Sequence, residues 1–226
     1  GKHVICEKPI TVEPEELIEL QSLAEDKGLV YMEAIMMLHL PQRELLRQAL
    51  HRIGSVTTAR FDFSQLSSKY PALLAGELPN IFNPRLATGC LMDLGIYCVY
   101  PAVDLFGEPQ EIITHAGFLS SGADGYDNAI FAYPDKQVNI SCSKLGQSVI
   151  GSEIMGDEGT IIIHSISKLT GISVIDRDGK EEKLVGNVEK SELMSKEAQS
   201  FYNYVTSPER YQMEYRDNNR LTLLVN

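Results

Sequence analysis

The first forty residues alternate between short apolar runs and one amphipathic stretch. Val4–Cys6 is an apolar run followed by charged residues and a proline, which predicts a short buried strand of a parallel sheet. Pro14 and the carboxylates around it favour the start of a helix, and Gly28 ends that helix. A second strand, Leu29–Ala34, follows. This order of strand, helix and strand predicts the end of a βαβ unit.

The middle of the chain changes from a helical period to a period of two. A helix is predicted over Pro41–Arg52, and from Ser55 alternate residues share one face, as in a half-buried strand. Leu66–Thr88 is predicted to be a long irregular connection, of the kind that is usually functional or mobile. Leu91–Phe106 is mostly apolar and predicts a helix.

The second half is predicted to consist of short strands followed by helices. The predicted strands are Glu111–Leu119, Asn128–Tyr133, Gln137–Lys144, Glu153–Met155, Thr160–Ser165, Gly171–Ile175 and Glu181–Leu184. Their short turns, such as Asp178-Gly179, predict an antiparallel meander. A helix over Ser191–Val205 is predicted to bury Met194, Ala198, Phe201, Tyr202 and Val205, and a last helical piece covers Asn218–Val225.

These elements predict an α+β fold with a large, open, predominantly antiparallel sheet and helices on one face. Residues 1–34 would be the edge of a separate α/β unit, and residues 35–226 a second domain. Too few helices remain to cover both faces of so large a sheet. We therefore expect the open face to meet solvent or a second copy of the chain, giving a homodimer or a higher homo-oligomer.

Composition narrows the class of protein. With 20 basic and 31 acidic residues, the net charge of −11 argues against a nucleic-acid partner. No run approaches the roughly 20 apolar residues of a membrane span, so no membrane is expected. The four cysteines lack the spacing of a zinc site, which predicts reduced thiols, no metal and a cytoplasmic protein. The histidines His39, His51, His115 and His164 are predicted to lie at the surface or to be hydrogen-bonded in the core.

Two segments could carry chemistry. Glu7, Lys8 and Pro9 lie at the end of the first predicted strand, where ligands of α/β sheets bind, although, taken alone, a solvated strand end with a turn proline is the favoured explanation. Asp93 and Tyr97 are four residues apart and share a helical face. Taken alone, they also fit a first-turn carboxylate and a core tyrosine.

Together, in this order, the two segments resemble a known family. Gly1–Thr11 is similar to the motif that closes the nucleotide-binding half of the glucose–fructose oxidoreductase/inositol dehydrogenase (Gfo/Idh/MocA) family. Met32-Glu33-Ala34 resembles the next landmark of the family. Asp93–Tyr97 resembles its D-x-G-x-Tyr variant, which occurs in glucose–fructose oxidoreductase and dimeric dihydrodiol dehydrogenase, and Gly156–Thr160 resembles its late sheet.

The resemblance implies an NAD- or NADP-dependent oxidoreductase that acts on a secondary alcohol or ketone of a sugar, polyol or diol. Tyr97 would exchange a proton with the substrate oxygen, Lys8 would assist it, and Asp93 would line the same pocket. Glu7, Lys8 and Pro9 would border the cofactor. A tyrosine, whose ordinary pKa is about 10, suits proton exchange when a cation such as Lys8 lowers that value.

Departures from the family pattern qualify this interpretation. The Gly-x-Gly-x-x-Gly pattern of the nucleotide-binding half does not occur in the sequence, so we expect the chain to be a fragment that is inactive by itself. Ile35–His39 is apolar where relatives often carry an arginine. Arg85 is a weaker candidate for binding an anionic group of the substrate. The alternative function is a non-catalytic, ligand-sensing family member that uses the sheet to bind a partner.

Overall fold

The computed structural model describes all residues from 1 to 226. It divides into two compact units, of which the first combines Gly1–Arg43 with Val188–Asn226 and the second is Glu44–Asn187. The last two helices therefore belong with the first strands. The assignment of residues 1–34 and 35–226 to separate domains stays a prediction.

Six α-helices and ten strands make up the chain. The helices are α1 (Pro14–Asp26), α2 (Pro41–Leu50), α3 (Tyr70–Leu74), α4 (Ile96–Phe106), α5 (Lys190–Thr206) and α6 (Pro208–Val225). The strands are β1 (Val4–Glu7), β2 (Tyr31–Ala34), β3 (Val56–Ser64), β4 (Glu111–Phe118), β5 (Asp124–Ala132), β6 (Gln137–Ser143), β7 (Ser152–Gly156), β8 (Gly159–Ser165), β9 (Thr170–Asp176) and β10 (Glu181–Val185). Nearly every predicted strand is present within two residues of its expected bounds, except that β5 begins earlier.

The first unit contains a two-stranded parallel sheet of β1 and β2, with α1 as the connecting helix. Val30, Met32 and Tyr204 form its apolar cluster, against which aromatic residues of α5 and α6 pack. The prediction that Val4–Cys6 is a buried strand is wrong. Val4 is 43% exposed and Ile5 is 39% exposed, because β1 pairs on one side only.

The second unit is an eight-stranded sheet in the order β10-β9-β8-β7-β3-β6-β5-β4. All neighbours are antiparallel except β3 and β6, which are parallel. The buried face includes Ala59 and Phe61 of β3 and Val138 and Ile140 of β6, and α4 packs against these two strands. The predicted α+β class with a large, mostly antiparallel sheet is confirmed.

Three predictions about helices were wrong in detail. Residues 66–88 are not wholly irregular, since they contain α3 and two short 3-10 turns. Helix α6 begins at Pro208, well before the predicted residue 218. Helix α5 buries Leu193, Glu197 and Tyr204, whereas Met194, Ala198 and Tyr202 are exposed. The buried positions of α5 follow a helical period, but one of them is the charged Glu197. A search for a purely apolar stripe therefore did not find them.

The segment Pro84–Phe106 is long and apolar enough, by length and composition, to cross a membrane, which the sequence analysis did not anticipate. It is not one helix, since a 3-10 turn and a π-helical turn precede α4. More than half of its most apolar stretch is buried in the structure, and the core helix of a soluble protein can have the same length and composition. The finding is therefore weak evidence for a membrane span.

Candidate active site

The candidate cofactor residues lie at the carboxyl end of β1. Glu7 pairs in register with Ala34 at the end of β2, and the Lys8–Pro9 peptide bond that follows is cis. Lys8 and Pro9 are half-buried, while Glu7 is exposed. The two carboxyl ends of a parallel pair thus meet at one edge, which is the position where α/β sheets bind ligands.

Glu33 anchors the segment that follows Lys8. Its Oε1 atom accepts the backbone N–H of Ile10 at 2.7 Å, and both residues are buried. A buried backbone N–H needs such a partner, and a carboxylate makes the bond a strong one. The sequence analysis noted Glu33 only as part of a landmark and did not assign it this contact.

Two further buried polar groups of the first unit were not predicted. Burial, with a smaller contribution from the charge of Glu7, raises the pKa of Glu197 to about 7, and its Oε1 atom has no hydrogen-bond partner in the protein. Neither ring nitrogen of His39 has a partner either, and burial lowers the pKa of this histidine to about 4. The expectation that His39 is exposed or hydrogen-bonded is therefore wrong, whereas His51, His115 and His164 are exposed.

In the second unit, Asp93 lies in a π-helical turn, Leu91–Gly95, that leads directly into α4. The Asp124 carboxylate accepts the backbone N–H of Leu91 at 2.8 Å and so caps this turn from β5. A Cβ atom on Gly89 would overlap that carboxylate, so a larger residue there would require the Asp124 side chain to move. The sequence predicted a regular helix here, and π-helical turns are frequent at functional sites.

Tyr97 follows in the first turn of α4 and is half-buried. Its ring packs edge-on against Phe63 of β3, with 5.4 Å between the ring centroids. The ring is thus fixed by the sheet. A fixed phenol can exchange a proton with a ligand oxygen, provided that its ionised form is stabilised.

The Asp93 carboxylate is paired with a buried lysine that the sequence analysis missed. Asp93 Oδ2 lies 3.2 Å from the Nζ atom of Lys144, whose side chain is only 1% exposed. Lys144 comes directly after β6, far from Asp93 along the chain, so no local pattern could reveal the pair. A lysine at the end of a strand in an otherwise apolar layer was the one available signal.

The other predicted residues fall outside these contacts. Arg85 is exposed on a 3-10 turn, where its backbone N–H donates to Asn83 Oδ1 at 3.1 Å. Glu7, Lys8 and Pro9 belong to the first unit, and Arg85, Asp93 and Tyr97 belong to the second.

A cluster of donor atoms lies beside the π-helical turn. One ligand atom each of Cys90, Asp127 and Cys142 lies within 4.8 Å of the other two. The Cys142 thiol donates to Asp127 Oδ2 at 3.8 Å, and its contact with Cys90, together with burial, raises the pKa of Cys142. Thiols that keep their protons and hydrogen-bond to one another are stable without a cation. Cys90 and Cys142 therefore fit the buried core of the second unit. The absence of a metal site stays a prediction.

Comparison with known proteins identifies the protein family to which the chain belongs. Residues 1–35 match an oxidoreductase family with an NAD-binding Rossmann fold, and residues 43–162 match the GFO/IDH/MocA C-terminal domain. The chain belongs to the GFO/IDH/MocA family of oxidoreductases. The family resemblance drawn from the sequence, with its NAD or NADP cofactor class, is confirmed.

Individual relatives agree with this assignment. The chain is 40% identical over 184 residues to a scyllo-inositol 2-dehydrogenase (NADP(+)) of Bacillus subtilis, a match covering 81% of this chain and 56% of the relative. It is 30% identical over 166 residues to the human trans-1,2-dihydrobenzene-1,2-diol dehydrogenase, covering 71% and 47%. The chain thus spans about half the length of these relatives.

A solved structure shows the same fold. The 3-ketoreductase KijD10 of Actinomadura kijaniata, in complex with NADP and TDP-benzene, superimposes with a TM-score of 0.82. The match covers 100% of this chain and 69% of KijD10, at 21% identity.

Proposed function

We propose that the protein is an NAD(P)-dependent dehydrogenase that interconverts a secondary alcohol and a ketone on a cyclic polyol or diol. The observation that carries the proposal is the 40% identity to an NADP-dependent scyllo-inositol 2-dehydrogenase over 81% of the chain. The positions of Asp93 in the π-helical turn and of Tyr97 in the first turn of α4, four residues apart, support it from the structure.

The residues at the end of β1 fit a nicotinamide cofactor. A half-buried lysine at the carboxyl end of a parallel strand can meet an anionic or dipolar group, and Glu33 holds the segment after it. When bound, the cofactor accepts or donates the hydride. Glu7, Lys8 and Pro9 would border it.

Tyr97 moves the proton in this proposal. In the oxidative direction the ionised Tyr97 oxygen takes the proton of the substrate hydroxyl, while the electron pair of the carbon–hydrogen bond leaves with the hydride. In the reductive direction the Tyr97 hydroxyl returns that proton to the carbonyl oxygen. The family resemblance assigns to Lys8 the positive charge that would favour the ionised oxygen, since a cation lowers the pKa of a phenol beside it.

The substrate class follows from what the relatives are named for. Scyllo-inositol and trans-1,2-dihydrobenzene-1,2-diol are both six-membered carbocycles with neighbouring hydroxyl groups. The Asp93 side chain is 35% exposed, so a second hydroxyl of such a ring can donate a hydrogen bond to its carboxylate. We therefore place cyclic vicinal diols ahead of open-chain alcohols.

The test is a substrate panel with the full-length protein. The absorbance of reduced nicotinamide is followed with NAD and NADP against scyllo-inositol, myo-inositol, trans-1,2-cyclohexanediol and, as a matched control, cyclohexanol. Turnover of the diols at a kcat/KM well above that of cyclohexanol is expected. Cofactor binding without turnover of any alcohol would overturn the proposal and favour a ligand-sensing protein.

A further inference from the structure

Lys144 is the one lysine of the second unit that is sealed from solvent, at 1% exposure. Its Nζ atom lies 3.2 Å from Asp93 Oδ2 and donates a hydrogen bond to the carbonyl oxygen of Ile81 at 3.1 Å. The same atom lies 5.7 Å from the ring centroid of Phe82, which is fully buried. A buried ammonium group is tolerated only with such compensation, so these contacts define its position.

The backbone around Lys144 holds the beginning of the 66–88 connection as well. Gln65 donates its backbone N–H to Ser143 at 2.8 Å, and Ser67 donates to Lys144 at 2.9 Å. The end of β6 therefore contacts this connection twice, by the backbone near Ser67 and by the Lys144 side chain at Ile81. The Lys144 ammonium group joins Asp93 to Ile81, while the Lys144 backbone carbonyl holds Ser67.

We propose that Lys144 is a positioning residue for the reaction, which orients the Asp93 carboxylate, keeps it ionised and couples it to the 66–88 connection. The inference rests on the proposed function, in which Asp93 receives a hydroxyl of the substrate. Removing the ammonium group would let the carboxylate rotate and protonate more readily, and it would release the carbonyl of Ile81. Both changes act on substrate binding and turnover without removing any group that exchanges the substrate proton.

A merely structural lysine would behave differently. Its loss would lower the thermal midpoint, but the pH dependence of the surviving activity would not change. A positioning role predicts that kcat/KM falls by about 10- to 100-fold in the full-length Lys144→Met variant, since small misplacements of a reacting site have effects of that size. It also predicts that activity begins to fall about one pH unit higher on the acidic side, because the carboxylate has lost its neighbouring cation.

The experiment compares Lys144→Met with Lys144→Arg and Lys136→Met. Arginine keeps the charge and should restore the wild-type pH profile. Lys136 also pairs with a carboxylate, that of Asp135, but on the β5–β6 turn, so its loss should leave the profile unchanged. Hydrogen exchange is measured in parallel, and Lys144→Met should raise exchange within residues 65–83 more than in β8 and β9.

The outcomes separate this inference from the proposed function. A wild-type protein that turns over no cyclic alcohol overturns both the proposed function and the catalytic part of this inference. An active protein in which Lys144→Met leaves the pH profile and the exchange of residues 65–83 unchanged overturns the inference alone. If Lys144→Met does not fold, Lys144→Gln removes the same charge while keeping a polar side chain, and an unchanged pH profile together with unchanged exchange over residues 79–83 then overturns the inference.

Discussion

The carboxylate of Glu33 accepts the backbone N–H of Ile10 at 2.7 Å, directly after Lys8 and Pro9. This single contact joins the end of β2 to the segment that carries the candidate cofactor residues. Because both groups are buried, the bond holds the backbone beyond Lys8 in one position.

Glu33→Ala should therefore destabilise the protein by about 1–3 kcal/mol, since the Ile10 N–H is left buried without a partner. Glu33→Gln keeps an acceptor oxygen at the same place and should lose much less. Urea unfolding of the two variants measures the difference, with the exposed Glu19→Ala on α1 as the control. Equal losses for the alanine and glutamine variants would show that the hydrogen bond is not what stabilises this turn.

The Tyr97→Phe variant tests the assignment of the proton-exchanging group. The change removes only the hydroxyl and keeps the ring against Phe63, so kcat should fall by about 10²–10⁴ in the full-length protein with cofactor affinity nearly unchanged. Tyr202→Phe, on the exposed side of α5, is the matched control and should keep full activity.

Lys8→Met should lower kcat at least as much, and the double variant should lose less than the sum of the two effects, because the two residues are assigned to one step. Full turnover by Tyr97→Phe together with loss of activity in Asp93→Asn would show that the acid was wrongly assigned. Tyr97 would then be a core residue.

Local patterns predicted the strands of the second unit well because their turns are explicit. The turns at Asp135 and Asp178 end strands within a residue of the positions expected from sequence. The insertion of β3 between β6 and β7 was not predicted, since it is a pairing between strands that are distant along the chain. Consecutive strands pair by local rules, whereas such an insertion is decided by packing.

The same contrast between local patterns and contacts of distant residues explains why only part of the candidate site was predicted. Asp93 and Tyr97 were found because they are close in sequence and resemble a motif. Lys144, which the structure pairs with Asp93, could not be found because an ion pair between distant residues leaves no periodic signal. The π-helical turn was missed as well, because its cap is the carboxylate of Asp124 on a different element.

The uncovered face of the eight-stranded sheet leads to a prediction about the oligomeric state. On the face of the sheet opposite to its buried side, Arg60 of β3 forms an ion pair with Glu153 of β7, and Glu153 is the strand partner of the half-buried Ile162 on β8. None of the helix contacts described above lies on this face. We expect a two-fold homodimer through this face, with β6 to β10 contributing most. Ile162→Lys should therefore shift sedimentation towards the monomer without unfolding the protein.

The matched control is Ile112→Lys, because Ile112 is 54% exposed and shares a face with its strand partner Phe131, which is the buried face on the other side of the sheet from Ile162. It should leave the dimer intact. A wild-type protein that sediments as a monomer at tens of micromolar would contradict the dimer directly.

Stability should depend on pH through the Asp127 carboxyl. Burial, the hydrogen bond to Asp124 and the charge of Asp124 raise the pKa of Asp127 from 3.8 to about 7. The folded state thus holds a proton that the unfolded state releases. The resulting stabilisation is complete below about pH 4 and is lost as the pH rises to about 7, after which no more is lost.

Asp127→Asn removes this dependence, because an amide of the same shape does not ionise. Near pH 4 the variant should be no more stable than the wild type, and at pH 8 it should be more stable, because the wild-type carboxyl has by then lost the proton that its raised pKa retains in the folded state. Thermal midpoints measured from pH 4 to 8 give the difference, and the exposed turn variant Asp178→Asn should shift by a constant amount over that range. A difference between Asp127→Asn and wild type that stays constant from pH 4 to 8 would contradict a raised pKa of the Asp127 carboxyl.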